Sequence, residues 1–95
     1  MLGYSKRTWS APHGTAVKKF PALDRAIREQ IATAREASGM SQRELCDKLR
    51  RRNNYIQNIE SGVQSVGAAE LHVIARACGS TGPDLLARAV QAADK

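Results

Sequence analysis

Residues 41–62, SQRELCDKLRRRNNYIQNIESG, decide the fold of this chain. Ser41 and Glu44 have the spacing of a capping box, in which each side chain accepts a hydrogen bond from the backbone N–H of the other residue. We therefore expect a short helix to begin after Ser41. Its apolar side chains fall on one narrow face: Leu45, Cys46 and Leu49.

A second amphipathic run follows a basic connection. Three arginines, residues 50–52, interrupt the apolar pattern, and the run ends at Gly62, a residue type typical of a helix end. As a helix that starts at Asn53, at about 100° per residue, this run has one apolar and one polar side. Its apolar side comprises Tyr55, Ile56 and Ile59. Its polar side comprises Asn53, Asn54, Gln57, Asn58 and Ser61.

The amide-rich side of the second run points to DNA. A solvated helix face normally carries lysine and glutamate, whereas asparagine and glutamine can pair bidentately with adenine in the major groove. A merely polar surface is the alternative interpretation, and the amides alone do not decide between them. Two short helices joined by a basic turn favour DNA binding, with the second helix in the major groove and the turn at the phosphates.

The stretch SQRELCDKL…YIQNIESG resembles the helix-turn-helix of the phage repressor and Cro family, also called the XRE family. The spacing matches without gaps over residues 41–62, and a weaker similarity covers residues 23–86. The matching positions are Gln42, Leu45, Leu49, Ile56, Ile59, Glu60 and Gly62. The departures are Arg50 where glycine is common, Arg51 where an apolar residue is common, and Cys46 where alanine is usual.

The resemblance implies an all-α, five-helix repressor-like domain that binds double-stranded DNA as a homodimer and regulates transcription, most often by repression. It assigns base contacts to Asn53, Asn54 and Asn58, with Gln57 as a second-rank candidate. It assigns phosphate contacts to Gln42, Arg43, Arg50, Arg51, Arg52 and Tyr55. In the family a basic residue of the first helix pairs with a glutamate of the second motif helix, and here Arg35 and Glu60 occupy those positions.

Composition agrees with this interpretation. The 95 residues make one small domain, and scarce aromatic residues with abundant alanine, leucine, arginine and glutamate favour helices. The formal net charge of +6 suits a polyanionic partner. No stretch has the length of a membrane span or the pattern of a signal peptide, so we expect a cytoplasmic protein, nucleoid-associated when bound to DNA.

The chain divides into a basic N-terminal arm, residues 1–22, and a helix-turn-helix domain, residues 23–95. The arm has four basic residues, no acidic one and no helical periodicity. A disordered tail is the simpler interpretation of the arm. The alternatives are an arm that follows phosphates or enters a minor groove, or one that packs Trp9 on the domain or on a protein partner.

Three further helices are predicted around the motif. The first covers residues 23–38 and ends before Gly39; another follows Gly67 to residue 78 and ends before Gly79. The last covers residues 84–92, with Pro83 in its first turn. Leu86 and Val90 on this last helix are the expected dimer contact.

The sequence gives no support for an enzyme, a cofactor or a metal site. Cys46 and Cys78 lie on predicted apolar faces, where a buried thiol is the ordinary case. His13 and His72 have no ligand-spaced partner, and no catalytic pattern or glycine-rich phosphate loop occurs. Two other functions stay open: the antitoxin of a toxin–antitoxin pair, and a protein-interaction module whose basic surface binds an acidic partner.

Overall fold

The computed structural model describes residues 20–94, which form five α-helices and no strand. The helices are α1 Pro21–Ala37, α2 Gln42–Leu49, α3 Tyr55–Ser61, α4 Ala68–Ala77 and α5 Gly82–Ala93. The predicted all-α, five-helix class is thus confirmed. Residues 1–19, which include most of the predicted arm, lie outside the described part. Helix α1 begins two residues before the predicted position at residue 23, because Pro21 occupies its first position.

Local capping signals determine where the helices begin. The Glu44 N–H donates to Ser41 Oγ at 3.0 Å and the Ser41 N–H donates to Glu44 Oε1 at 2.8 Å, so the predicted capping box is present. Thr81 caps α5 by accepting the Asp84 N–H at 3.2 Å. This cap starts α5 two residues before the predicted position at Asp84.

Two glycines end α1 and α4 in the same manner. Gly39 and Gly79 have φ values of +79° and +81°, which glycine adopts without a steric penalty. The residue after each glycine donates its N–H back into the helix, from Met40 to the Arg35 carbonyl at 3.3 Å and from Ser80 to that of Ala75 at 2.8 Å. These are Schellman motifs, and they turn the chain sharply into the next helix.

All five helices contribute to one aliphatic core. Its buried members are Ile31, Leu45, Cys46, Ile56, Ile59, Leu71, Ile74, Ala75 and Leu85. Each fully buried isoleucine or leucine contributes roughly 1.5–3 kcal/mol relative to an exposed one. The inner faces of α2 and α3 pack into this core, so their outer faces remain at the surface. Within residues 20–94 no helix has both the length and the hydrophobicity needed to cross a membrane.

Helices α4 and α5 meet closely at a buried glycine. The Gly82 N–H donates to His72 Nδ1 at 3.0 Å, which joins the first turn of α5 to α4. A Cβ atom at position 82 would lie 2.9 Å from the His72 Cα atom, closer than real contacts allow. His72 therefore has a structural partner that the sequence did not suggest.

Arg35 and Glu60 join α1 to α3. Arg35 Nε lies 2.8 Å from Glu60 Oε2 and Arg35 Nη2 lies 3.2 Å from Glu60 Oε1, a bidentate pair whose side chains are 12% and 10% exposed. Arg35 Nη1 also donates to the Met40 carbonyl at 2.9 Å. The hydrogen bond to Glu60 is the main reason that the pKa of Arg35 is raised. The pair fixes the end of α3 against α1 and the loop that follows it.

We expect Glu60→Gln to lower the free energy of unfolding by about 3 kcal/mol, because it leaves the guanidinium of Arg35 without its charge partner in a largely buried position. Denaturant titration followed by circular dichroism measures this change. Arg88→Gln is the matched control: it breaks the exposed pair between Arg88 and Asp84 and should cost less than about 0.5 kcal/mol. Equal stability of Glu60→Gln and the wild-type protein would show that the largely buried pair does not stabilise the fold.

Candidate nucleic-acid interface

The connection between α2 and α3 is a tight turn with an arginine in the left-handed conformation. Arg50 has φ +57° and ψ +46°, and it is the single non-glycine residue with positive φ in the described chain. The Arg51 N–H donates to the Cys46 carbonyl at 2.9 Å and the Arg50 N–H to that of Asp47 at 3.1 Å. These are the bonds of a Schellman motif. Arg50 therefore occupies the left-handed position where glycine is usual, although its Cβ atom makes that conformation less favourable than it is for glycine.

Helix α3 begins at Tyr55, so projecting the helix from Asn53 was wrong for its first two residues. Asn53 and Asn54 belong to the turn, and Asn54 is the N-cap with φ −96° and ψ +4°. The Asn54 side chain makes no capping bond. The two asparagines are therefore presented ahead of the helix rather than along its side.

Cys46 supplies the cap that Asn54 does not. Its buried sulfur accepts the Ile56 N–H at 3.4 Å, and its thiol donates to the Asn53 carbonyl at 3.4 Å. The sequence predicted a buried thiol with no further role. The structure shows that the thiol also bridges α2 to the beginning of α3, where the first N–H groups have no partner within the helix.

Four side-chain amides lie at the start and on the outer face of α3. Asn53, Asn54 and Gln57 are exposed and Asn58 is half-buried. Within residues 20–94 none of these four amides takes part in a hydrogen bond. Each therefore offers a donor and an acceptor to a ligand, the combination that an adenine edge requires.

The predicted phosphate-binding residues divide into two groups. Arg43, Arg50, Arg51 and Arg52 are exposed, and none of them has a carboxylate within 4.0 Å among the described residues. Gln42 Nε2 instead donates to Glu60 Oε1 at 2.8 Å, which braces the end of α3. The Tyr55 hydroxyl donates to Glu70 Oε2 at 2.6 Å. A phosphate contact through either donor would have to share or replace these bonds.

Tyr55 links the turn to α4. The Arg51 guanidinium carbon lies 5.3 Å from the centre of the Tyr55 ring, within cation–π range. Burial, together with the hydrogen bond to Glu70, raises the pKa of Tyr55 to about 12. The same bond, with one from the Gly67 N–H, lowers the pKa of Glu70. The phenol therefore stays a donor to a charged carboxylate throughout the physiological pH range.

A family model described as a helix-turn-helix domain matches residues 26–89. The chain belongs to this family. The match spans α2, the arginine turn and α3, and it indicates a DNA-binding regulator with DNA as its partner. Comparisons with curated proteins and with solved structures gave no match.

The charge of this helix-turn-helix protein is unevenly distributed along the chain. Residues 20–94 contain ten basic and nine acidic residues, so the described domain is almost neutral. The remaining positive charge belongs to residues 1–19, with four basic residues, and to the C-terminal lysine. Within the helix-turn-helix itself, three consecutive arginines make the turn the strongest local concentration of positive charge.

We expect Arg50→Gly to raise the free energy of unfolding by about 0.5–1 kcal/mol, because a left-handed residue with a Cβ costs roughly 1–2 kcal/mol and glycine recovers part of it. The same change should weaken DNA binding, since it removes a charge that faces solvent beside α3. Denaturant titration and DNA titration measure the two effects. Arg50→Asn removes the charge but tolerates the conformation, and it serves as the control. A destabilised Arg50→Gly protein would contradict the strain argument.

Proposed function

We propose that this helix-turn-helix protein binds a defined double-stranded DNA sequence, with α3 in the major groove, and represses transcription by occupying its site. The observation that carries the proposal is the set of four amides at the start of α3, unbonded within the described chain, directly beside the exposed arginine turn. The resemblance to the phage repressor and Cro family supports the same arrangement.

The amides read bases in this proposal. Asn53 and Asn54 enter the groove first, Asn58 follows one turn along α3, and Gln57 flanks them. An amide that satisfies both a donor and an acceptor on one adenine discriminates by roughly 1–3 kcal/mol against a wrong base. Three or four such contacts specify one half-site.

The arginines bind the DNA backbone in this proposal. Arg43 on α2 and the three arginines of the turn contact phosphates on either side of the groove, and each neutralised phosphate releases counterions. Gln42 and Tyr55 are secondary candidates, because both are already bonded within the domain. The basic segment before residue 20 adds non-specific affinity along the adjacent duplex. We place the protein in the cytoplasm, on the nucleoid when it is bound to DNA.

The functional unit in this proposal is a homodimer. Leu86 and Val90 lie four residues apart on α5, and each is 40% exposed, so they form an apolar strip on its outer face. Two domains joined through this strip present two α3 helices to half-sites about one helical turn apart. Two half-sites supply the specificity that one short helix does not.

The proposal is tested by comparing variants of the asparagines, which are assigned to bases, with a variant of an arginine that is assigned to phosphates. Asn53→Ala or Asn54→Ala should remove the preference at particular base pairs and leave non-specific affinity nearly unchanged. Arg51→Ala should weaken binding to all sequences alike and reduce the salt slope by about one unit. The measurement is titration of each variant against the selected site and its single-base variants at several salt concentrations.

Arg88→Ala is the control for net charge, since it removes an exposed arginine from α5. It should leave the sequence preference as in the wild type. If the asparagine variants lose affinity equally for all DNA sequences, these amides contact the DNA backbone and not the bases. Wild-type protein that binds an acidic protein but no DNA would replace the proposal with the interaction module.

We expect Leu86→Glu to prevent dimer formation and to weaken binding to a two-half-site DNA by at least tenfold, because it places a charge in the apolar strip (about 1.4 kcal/mol per factor of ten). Analytical ultracentrifugation and footprinting measure the two effects. Val63→Glu, at a 78% exposed loop position, is the control and should remain dimeric. A wild-type footprint over one half-site, with one protein per duplex at saturation, would overturn the dimer.

A further inference from the structure

A chain of three contacts runs from α4 to the arginine turn. The Gly67 N–H donates to Glu70 Oε1 at 3.0 Å, and Glu70 Oε2 accepts the Tyr55 hydroxyl at 2.6 Å. The Tyr55 ring in turn lies under the guanidinium of Arg51, 5.3 Å from its central carbon. The carboxylate thus holds both the first turn of α4 and the aromatic ring on which Arg51 rests.

We infer that Tyr55 and Glu70 are positioning residues for DNA binding, which hold Arg51 in the orientation that meets a phosphate. This inference rests on the proposed function. It assigns a favourable role in binding a polyanion to an acidic residue that touches no DNA itself.

The argument begins with the freedom of Arg51. An exposed arginine loses up to about 2 kcal/mol of rotamer entropy when it is fixed. The aromatic ring restricts that freedom before DNA arrives, and the hydroxyl bond fixes the ring. Within residues 20–94 Arg51 forms no ion pair, so its charge remains available for a phosphate.

The surroundings of the ring match this role. Leu49, Ala69, Val73 and Ile74 line an open cleft of about 210 Å³ together with Arg51, Tyr55 and Glu70. The apolar wall keeps the ring partly desolvated, which strengthens its attraction for the cation.

Simple electrostatics predicts the opposite effect for Glu70. Removing an anion from a DNA-binding surface should strengthen DNA binding, because it reduces repulsion with the phosphates. The positioning role predicts weaker binding. The sign of the change therefore separates the two explanations.

The test compares Tyr55→Phe and Glu70→Ala with the full-length wild-type chain, on the selected DNA site and on random-sequence duplex. We expect both variants to bind both DNAs about two- to fivefold more weakly, the range of an exposed cation–π contact. Their salt slopes should fall toward that of Arg51→Ala. Asp47→Ala is the control: it removes another exposed carboxylate and should bind equally or more tightly.

The double variants decide whether Tyr55 acts through Arg51. In an Arg51→Ala background, Tyr55→Phe should have no further effect on affinity or salt slope, whereas a purely structural defect would persist there. If Glu70→Ala does not fold, Tyr55→Phe still breaks the same hydrogen bond from the other side, because phenylalanine keeps the ring and lacks the hydroxyl donor.

The outcomes separate this inference from the proposed function. Wild-type protein that binds no DNA would overturn both. Wild-type binding that is weakened by Arg51→Ala but unchanged or tightened by Tyr55→Phe and Glu70→Ala would overturn the positioning role alone. Equal losses with and without Arg51 would also overturn it.

Discussion

The guanidinium of Arg35 is the contact on which the arrangement of the motif depends. It binds both oxygens of Glu60 at the end of α3 and the Met40 carbonyl just before α2. Gln42, at the first position of α2, adds a third bond to the same carboxylate. One largely buried cation therefore fixes three helices relative to one another.

Helix α3 needs this support because it has seven residues, too few to be stable by itself. Three polar contacts from the rest of the domain hold it: the Cys46 thiol and the Glu70 carboxylate at its first turn, and Arg35 at Glu60 near its end. All three contacts approach from behind or beside the helix. Its outer amides are consequently left unbonded within the described chain, on a backbone that is itself well fixed.

Local signals explain what the sequence could predict. The Ser41 capping box and the terminating glycines act through neighbouring backbone groups, so the number of helices and most ends were predictable within two residues. The cap of α3 was not predictable: Asn54 occupies the N-cap position, but a sulfur from α2 accepts the N–H bond in its place, and that is a tertiary contact. The hydrogen bond between Tyr55 and Glu70 joins residues fifteen positions apart and was equally unpredictable from the sequence. In the site, residue types were therefore predictable, whereas their bonding partners were not.

The aliphatic character of the core has an optical consequence. No aromatic ring belongs to its buried cluster, and Tyr55 is the one tyrosine in residues 20–94. Tyr55 packs against this cluster from its edge, so unfolding of the core alters the near-ultraviolet signal of the described residues mainly through this one side chain. Tyr55 lies beside the arginine turn, so its emission is sensitive to events there. Once Trp9 and Tyr4 are replaced by non-fluorescent residues, the chain carries an intrinsic fluorophore beside the turn and needs no attached dye.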